Sequence, residues 1–493
     1  MKKPARKPLR SSKISHSKPE AERRTTPYNP AMQKARALPS HVEHLSRLLP
    51  ELLRFEHPAD NVVSRYFREQ PQLGNRDRAL IAESSFAFLR RKLELSQFAE
   101  SGEGPQARRL ALLGLMMALS EAGLGSGTRM ESALADLAFV VRDDEADWLR
   151  RFGAVNRDSL SPQIRANLPD WIWNELSNQI GPDAREKLAQ AMLKPAPLDL
   201  RVNTLKARRE VLMEELNQLG GRYQAIETPF SDIGLRLKGK PALQNLDSFK
   251  KGLFEVQDEG SQLLSALLAP KRGQMVVDFC AGAGGKTLAL GAMMNSTGRL
   301  YAFDVSEKRL SRLKPRVAKS GLSNVHPVWI DNENDAKVKR LAGKIDRVLV
   351  DAPCSGLGTL RRNPDLKWRQ TPTSIEELNA KQLSILKSAA RLLKPGGRLV
   401  YATCSVLRQE NQDVVNQFLA ANSTFELLDA KTALNSSFPT INGLPVGTTA
   451  NEPWWQLWPH LIETDGFFAA ILEKKALVQE EVTPDQEENK EVK

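Results

Sequence analysis

Apolar residues recur at helical spacing through the first third of the chain. Two stripes stand out: Leu45, Leu48, Leu49, Leu52 and Leu53, and then Leu110, Leu113, Met116 and Leu119. Residues three and four positions apart lie on the same face of a helix, so each stripe predicts one amphipathic helix. No alternating strand pattern interrupts this region. We therefore predict an all-α domain over residues 38–170.

A different pattern begins near Leu198. The segment LDLRVNTLKA starts mixed α and β patterning that continues through GLFEVQDEGSQL, which predicts a small α+β module over residues 171–262. Beyond it, short apolar runs alternate with helical stretches, the pattern of a parallel sheet covered by helices on both faces. We expect a Rossmann-like, doubly wound α/β domain over residues 263–476.

The two ends of the chain contain few of the apolar residues that a core needs. Residues 1–37 are rich in Lys, Arg, Ser and Pro, and residues 477–493 are polar and acid-rich. We expect two disordered tails, because such segments bury too little apolar surface to offset the entropy of ordering. Two interpretations of the basic tail stay open: a loose tether for phosphate groups, or a solvated terminus.

Composition narrows the class of protein. The 493 residues carry 71 Lys and Arg against 59 Asp and Glu, a formal net charge of +12, which favours a polyanionic partner such as RNA. We find no apolar run long enough to span a membrane, no secretory signal, and too few cysteines for a disulfide framework. The six His and three Cys lack metal-ligand spacing. We expect a cytoplasmic monomer without a metal.

Candidate chemistry lies where the predicted strands end. The buried strand QMVVDF leads into a glycine-rich turn that offers backbone N–H groups to a ligand. The turn comprises Cys280, Ala281, Gly282, Ala283, Gly284, Gly285 and Lys286. The next three strands end at Asp304, Asp331 and Asp351. Asp304 lies about 20 residues beyond the turn, where a carboxylate can accept hydrogen bonds from ribose hydroxyls. This acidic edge suits the sulfonium and amino groups of S-adenosylmethionine better than a pyrophosphate, so we predict that cofactor.

Two other functions are alternatives to a methyltransferase. GGKT resembles the end of the P-loop motif GxxxxGK[ST], which indicates a nucleotidase, but the first glycine of that motif would fall at Cys280. A noncatalytic rRNA-binding assembly factor with the same fold is the second alternative. Binding alone needs none of Cys404, Cys354 and Asp351, and their presence argues against it.

Two cysteines follow neighbouring strands of the predicted sheet. Cys354 lies just beyond the fourth strand and Cys404 just beyond the fifth. Adjacent strands are about 4.8 Å apart, so we expect both thiols to face one pocket beside the methyl donor. A thiolate that adds to C6 of cytosine makes C5 nucleophilic, and Asp351 could neutralise the charge that develops on the ring. Strand-end geometry treats the two thiols as equivalent, and we assign Cys280 no chemistry.

The order and spelling of these motifs resemble the NOL1/NOP2/Sun family of RNA cytosine-C5 methyltransferases. The matching segments are LRVNTLK (200–206), FEVQDEGSQL (254–263), DFCAGAGGKT (278–287), Asp304, Asp331, DAPCSGLGTLRRNPDLKW (351–368), KPGGRLVYATCS (394–405) with Glu410 and Asn411, and DGFFAAIL (465–472). Together they extend over more than half of the chain, and the PCSG and ATCS motifs are highly specific.

The resemblance implies roles that spacing alone does not assign. Cys404 would be the nucleophile and Cys354 the thiol that aids product release. Residues 280–286 with Asp304, Asp331 and Asp351 would hold S-adenosylmethionine. Where the family usually has proline this chain has Ala283, from which we expect a less rigid turn and no loss of binding.

The resemblance also extends to the accessory domains. Arg201 and Lys206 would belong to an RNA-recognition-like module ahead of the catalytic domain. The helical domain is similar to the NusB-like RNA-binding domain of the bacterial Sun/RsmB branch. The substrate implied for that branch is small-subunit (16S) ribosomal RNA.

Overall fold

The computed structural model describes residues 30–122, 129–437 and 452–476, with side chains described for 38–121, 130–434 and 452–476. Residues 1–29 of the predicted basic tail and the predicted acidic tail, 477–493, lie outside these ranges. The backbone is already helical from Pro30, inside the segment that the composition predicts as tail. Within the described ranges, no helix is both long and apolar enough to cross a membrane.

Helices alone make up the described chain before residue 198. They are α1 (Pro30–Leu52), α2 (Ala59–Glu69), α3 (Asn75–Arg90), α4 (Lys92–Ala99), α5 (Gln106–Ala122), α6 (Arg129–Leu137), α7 (Asp143–Gly153), α8 (Pro162–Ala166), α9 (Asp170–Gln179) and α10 (Pro182–Met192). The two predicted stripes lie on α1, with Leu53 one residue beyond its end, and on α5; these helices pack together with α3 around one core. Leu53 and Leu119 lie at the margin of this core and the other stripe residues are buried within it.

Helices α9 and α10 belong to a different core. Their apolar faces, which include Trp173 and Leu188, pack with Leu357 and Leu407. Leu357 and Leu407 lie three residues after Cys354 and Cys404 respectively. The helical region therefore ends against the loops that carry the two cysteines.

The small module has a ferredoxin-like arrangement. Its elements are β1 (Leu198–Val202), α11 (Arg209–Leu219), β2 (Ala225–Glu227), β3 (Gly234–Leu237), α12 (Asp247–Lys250) and β4 (Phe254–Val256). The strands form an antiparallel sheet in the order β2-β3-β1-β4, the order of a split βαβ unit. Three residues of these strands, Leu200, Leu235 and Phe254, are fully buried in the core of the module.

The predicted α/β domain, which carries the candidate cysteines and is termed the catalytic domain, follows. Its elements are α13 (Glu259–Leu267), β5 (Met275–Asp278), α14 (Gly285–Met293), β6 (Arg299–Asp304), α15 (Glu307–Ser320), β7 (Val325–Trp329), α16 (Ala336–Lys339), β8 (Ile345–Asp351), α17 (Leu366–Arg369), α18 (Pro372–Ala390), β9 (Leu393–Thr403), α19 (Gln412–Ala421), β10 (Phe425–Leu428), α20 (Ala430–Ser437), β11 (Trp455–Leu457) and β12 (Phe467–Lys474). Helix α13 crosses the predicted domain boundary at residues 262–263.

The large sheet confirms the predicted Rossmann-like fold. Its strand order is β7-β6-β5-β8-β9-β12-β10; β5 to β9 run parallel, and β12 is antiparallel to both of its neighbours in this order. Val277 and Val348 face a core on one side of the sheet, whereas Val276 and Leu349 face a second core on the other. Successive strand residues point to opposite faces, so this alternation buries both faces under helices.

Candidate active site

The glycine-rich turn links β5 to α14 at the carboxyl edge of the sheet. Gly282 and Gly284 have φ values of 57° and 88°, a left-handed conformation that glycine adopts without steric cost. A Cβ atom on Gly282 or Gly285 would meet no heavy atom of the described residues within 4 Å. The backbone at these two positions is therefore open to a ligand.

The strand-end carboxylates have three different environments. Asp304 is buried and organises the turn itself, because its Oδ2 accepts the Gly282 N–H at 2.8 Å and its Oδ1 accepts the Ser306 N–H at 2.7 Å. Asp331 is exposed, two residues beyond the end of β7. Asp351 is half-buried at the end of β8 and faces Lys286. The structure brings Asp304 and Asp351 to the turn and leaves Asp331 on the surface.

Asp278, at the end of β5, is a site residue that the sequence reasoning missed. Its carboxyl group is buried, with Oδ2 accepting the Thr287 hydroxyl at 2.7 Å and Oδ1 without a partner among the described residues. Burial raises the pKa of Asp278 to about 7; the Thr287 hydrogen bond opposes this shift and the charge of Asp351 adds to it. Asp278 ends the first of the four predicted strands that finish at a carboxylate. Its position at a strand end is the feature of the sequence that could have identified it.

These groups fit S-adenosylmethionine. An orphaned buried acceptor beside two further carboxylates favours a ligand with positive charge, and the open glycine backbone offers N–H donors. The sulfonium and amino groups of S-adenosylmethionine supply that positive charge, and its ribose supplies hydroxyl donors. Asp304 Oδ2 keeps a lone pair for such a hydroxyl.

Lys286 connects the turn to the cysteines. Its Nζ donates to Asp351 Oδ2 at 2.7 Å. Burial alone would lower the pKa of Lys286, but the charge and hydrogen bond of Asp351 and the nearby Cys404 raise it above its ordinary value. A permanent positive charge therefore lies between a carboxylate and a thiol. It lies where the glycine-rich turn at residues 280–286, termed the cofactor turn, meets the two loops that carry Cys354 and Cys404, termed the cysteine loops.

Cys354 and Cys404, which follow neighbouring strands, lie side by side. Cys354 Sγ and Cys404 Sγ are 3.4 Å apart, and both thiols are free and partly exposed. The hydrogen bond with Cys404, together with burial, raises the pKa of the Cys354 thiol well above its ordinary value, so Cys354 stays protonated. Burial also raises the pKa of Cys280 well above its ordinary value, consistent with our assigning that residue no chemistry.

The ferredoxin-like module supports the cofactor turn. Arg201 is buried at the interface, where its Nη2 lies 3.5 Å from the Gly285 carbonyl oxygen and burial lowers its pKa to about 10. Arg316 donates to the Ala283 carbonyl at 2.5 Å and to Glu255 of β4 at 2.9 Å. The turn therefore has an external support at Ala283.

The LRVNTLK motif points toward the catalytic domain. Asn203 Nδ2 donates to the Ser320 carbonyl at 2.9 Å, and Lys206 Nζ donates to the Lys319 carbonyl at 2.6 Å. Both acceptors are carbonyls in the last turn of α15, where carbonyls have no hydrogen-bond partner within the helix. Such carbonyls attract donors and positive charge. The Lys206 ammonium thus joins two domains, and the charged group of Arg201 is likewise at their interface.

The helical domain contacts the loop that follows Cys354. Asp365 Oδ2 accepts the Ala59 N–H at the start of α2, at 3.1 Å. At the end of α3, Lys367 Nζ donates to the Arg90 carbonyl at 2.8 Å and Trp368 Nε1 donates to the Leu89 carbonyl at 3.0 Å. Burial lowers the pKa of Lys367 well below its ordinary value. One short segment, Asp365 and the following helix α17, therefore binds the ends of two helices of the helical domain.

The sheet, the open glycine turn and the acidic edge define an S-adenosylmethionine-dependent methyltransferase. Residues 265–473 match the family described as 16S rRNA methyltransferase RsmB/F, and residues 168–244 match the ferredoxin-like domain described for the same group. The chain belongs to the 16S rRNA methyltransferase RsmB/F family, and its cofactor is S-adenosylmethionine.

Individual relatives agree with this assignment. The probable ribosomal RNA small subunit methyltransferase B of Synechocystis is 30% identical over 453 residues, covering 87% of this chain and 98% of that protein. The probable enzyme of the same name from Bacillus subtilis is 31% identical, covering 66% of this chain and 72% of that protein. A solved methyltransferase homologue from Pyrococcus horikoshii is 29% identical with a TM-score of 0.55, covering 65% of this chain and all of that one.

Proposed function

We propose that the protein transfers a methyl group to C5 of a cytosine in small-subunit ribosomal RNA through a covalent bond between Cys404 and C6. The observation that carries this proposal is the pair of free thiols 3.4 Å apart beside the Lys286–Asp351 ion pair. Transfer to an oxygen or an exocyclic nitrogen needs no thiol. Methylation at C5 needs a nucleophile, because the ring carbon is otherwise too weak to attack a sulfonium methyl.

The cofactor-binding residues in this proposal are 280–286, Asp304, Asp331 and Asp351, to which we add Asp278. S-adenosylmethionine supplies an electrophilic methyl group when bound. The buried carboxylates of Asp278 and Asp304 would attract its positive charge, and Asp304 would accept a hydrogen bond from its ribose. Lys286 is assigned to the junction between the cofactor and the cytosine, since its ammonium is bonded to Asp351.

Each step of the reaction is assigned to one side chain. The Cys404 thiolate adds to C6, and the displaced electron pair makes C5 nucleophilic while N3 takes a proton through the Asp351 carboxyl group. C5 takes the methyl group and N3 gives its proton back to Asp351, after which water positioned by the Cys354 thiol takes the proton on C5. The C6–sulfur bond then breaks and returns its electron pair to Cys404. The net change is one methyl group gained and one proton released.

The accessory domains are assigned to RNA recognition. The ferredoxin-like module and the helical domain, which we take to be NusB-like, contact different parts of the active site, through Arg316 and Trp368 respectively. The basic composition supports contact with phosphate groups. The relatives' names specify small-subunit ribosomal RNA, and we propose the same substrate here.

Bisulfite sequencing of ribosomal RNA from cells with and without the gene tests the reaction and the substrate together. We expect a single small-subunit cytosine to lose protection when the gene is deleted. Loss of protection in a different RNA would contradict the proposed substrate and keep the chemistry. An unchanged pattern at every cytosine would contradict the proposed reaction.

The roles of the two thiols are tested by covalent trapping. Cys354→Ala should complete methyl transfer and accumulate an RNA–protein adduct that survives a denaturing gel. Cys404→Ala should form no adduct, because the bond to C6 cannot form. The opposite pattern would interchange the two roles.

A further inference from the structure

Glu410 is a fully buried carboxylate beside the cysteine loops. It ends a short turn, Arg408–Glu410, between β9 and α19. Among the described residues, no Lys, Arg or His forms an ion pair with it, although a buried charge is costly unless it is paired or fully hydrogen-bonded. A buried carboxylate in this setting needs several hydrogen-bond donors.

Glu410 receives these donors from three segments. Its Oε1 accepts the Ser355 N–H at 2.8 Å and the Gln382 amide at 3.0 Å. Its Oε2 accepts the Ser355 hydroxyl at 2.5 Å and, at a short distance, the Ser405 hydroxyl. Four hydrogen bonds satisfy the carboxylate without a cation. Each donor can bond Glu410 only while its own segment stays in place.

The two serines share one feature of the sequence. Ser355 follows Cys354 and Ser405 follows Cys404, so each cysteine loop contributes the dipeptide Cys-Ser. Both hydroxyls end on the same oxygen of Glu410 and are 3.2 Å from each other. The loops leave two separate strands, β8 and β9, and join at this carboxylate. The sulfur atoms of the two preceding cysteines lie 3.4 Å apart.

Glu410 is itself held in place. Its carbonyl oxygen accepts the hydroxyl of Tyr401, a buried residue of β9, at 2.7 Å. Gln382 of α18 donates to Glu410 and also to the Pro353 carbonyl, immediately before Cys354. The carboxylate therefore bridges two loops from a position anchored to a strand and a helix, which is the geometry of a rigid spacer.

We propose that Glu410 is a positioning residue that sets the distance between the thiols of Cys354 and Cys404. The catalytic consequence rests on the proposed two-cysteine reaction, whereas the thiol spacing does not. A nucleophile and its partner displaced by about 1 Å can lose about a hundredfold in rate, so a spacer between two reacting groups matters more than its contribution to stability.

The test uses Glu410→Gln, which keeps the volume of the side chain and removes its charge. The RNA-free protein is treated with diamide, which takes two electrons and two protons from two thiols and becomes the hydrazine as a disulfide forms. Peptide mass spectrometry follows the Cys354–Cys404 disulfide over time. We expect rapid formation in the unaltered protein and formation slowed by about tenfold or more in Glu410→Gln.

A matched control is Glu259→Gln. Glu259 is an equally buried carboxylate that accepts the N–H groups of Phe230 and Ser231, away from the cysteine loops. This variant should form the disulfide at the unaltered rate even where its melting temperature falls. An equal slowing in both variants would show a general loss of stability and overturn the proposal.

The serine variants keep the proposal testable if Glu410→Gln does not fold. Ser355→Ala and Ser405→Ala each remove one hydroxyl from Oε2, and we expect each to slow the disulfide by a smaller factor than Glu410→Gln. Unchanged rates in the folded variants would overturn the proposal.

A second readout separates this proposal from the proposed function. Single-turnover methylation should fall in Glu410→Gln by about tenfold or more while the Kd for S-adenosylmethionine stays unchanged. Slow disulfide formation in Glu410→Gln, with no cytosine methylation even by the unaltered protein, would support the spacer and contradict the proposed function. Methylation that is unaltered in Glu410→Gln would overturn the catalytic consequence.

Discussion

The cofactor turn and the cysteine loops form one active site but rest on different parts of the molecule. The turn at residues 280–286 is supported by the ferredoxin-like module through directional polar contacts, of which Arg316 bridging Ala283 and Glu255 is the clearest. The cysteine loops are supported by the helical region, through an apolar cluster that contains Leu357 and Leu407 and through Trp368.

The two kinds of support have different physical properties. Hydrogen bonds to a backbone carbonyl specify position within a few tenths of an ångström but add only about 0.5–3 kcal/mol each. Apolar burial adds free energy in proportion to area and tolerates small displacements. We infer that substitutions at the two interfaces should have different effects. Those at the ferredoxin-like module should alter cofactor affinity, and those at the helical region should alter thiol chemistry and stability.

The largest effect should come from the cysteine side. Cys404→Ser should lower single-turnover methylation by at least about a thousandfold, because a serine hydroxyl is a far weaker nucleophile at neutral pH. The Kd for S-adenosylmethionine, measured by calorimetry, should stay within about twofold. A marked loss of cofactor affinity would break the separation between the two sides.

The interface with the helical domain should show the next largest effect. Trp368→Ala removes the hydrogen bond to the Leu89 carbonyl, contact with the Phe55 ring and the surface under the Lys92 ammonium. We expect the free energy of unfolding to fall by about 2 kcal/mol, measured by denaturant titration. The control is Phe139, an exposed residue of the helical domain. Its replacement by Ala should change the free energy of unfolding by less than about 0.5 kcal/mol.

On the cofactor side, Arg316→Ala should weaken binding of S-adenosylmethionine by about tenfold, or about 1.4 kcal/mol, because the Ala283 carbonyl loses its charged donor. Diamide oxidation of Cys354 and Cys404 should proceed at the unaltered rate. Arg312→Ala changes an exposed cation of the same helix and should leave the Kd unaltered. A slower disulfide in Arg316→Ala would show that the two sides are coupled.

The smallest effect is a pH dependence confined to the cofactor side. The pKa of Asp278 is raised to about 7, and a cationic ligand prefers the ionised form. The affinity for S-adenosylmethionine should therefore rise several-fold between about pH 6 and pH 8 and level off above, and Asp278→Asn should flatten the profile. Calorimetry in buffers of different ionisation enthalpy would detect the released proton.

The same carboxyl group predicts a stability effect of definite sign. Between its ordinary pKa of 3.8 and its raised pKa of about 7, Asp278 binds more protons in the folded than in the unfolded state. Folding stability from this residue therefore decreases as pH rises through that window. The difference in stability between Asp278→Asn and the unaltered protein should shift in favour of the variant over the same range. A pH-independent difference would contradict the assignment.

The amino-acid sequence by itself determined the class of fold and the class of chemistry. Helical apolar spacing and short apolar runs depend only on neighbours along the chain, and they located the helical stripes and the strands β5 to β9. Because parallel strands end at one edge, their order also placed Asp304, Asp351, Cys354 and Cys404 near one another. These inferences needed only local patterns and one topological rule.

Only the tertiary structure decided how those groups are held. Glu410 lies 55 residues from Ser355, Arg316 lies 61 from Glu255, and Lys367 lies 277 from Arg90. Pairings across such separations depend on how domains pack, because many donors of equal chemistry compete for each acceptor until packing selects one. For the same reason Arg201 and Lys206, which the resemblance assigns to an RNA-recognition-like module, have their charged groups bonded at the interface with the catalytic domain.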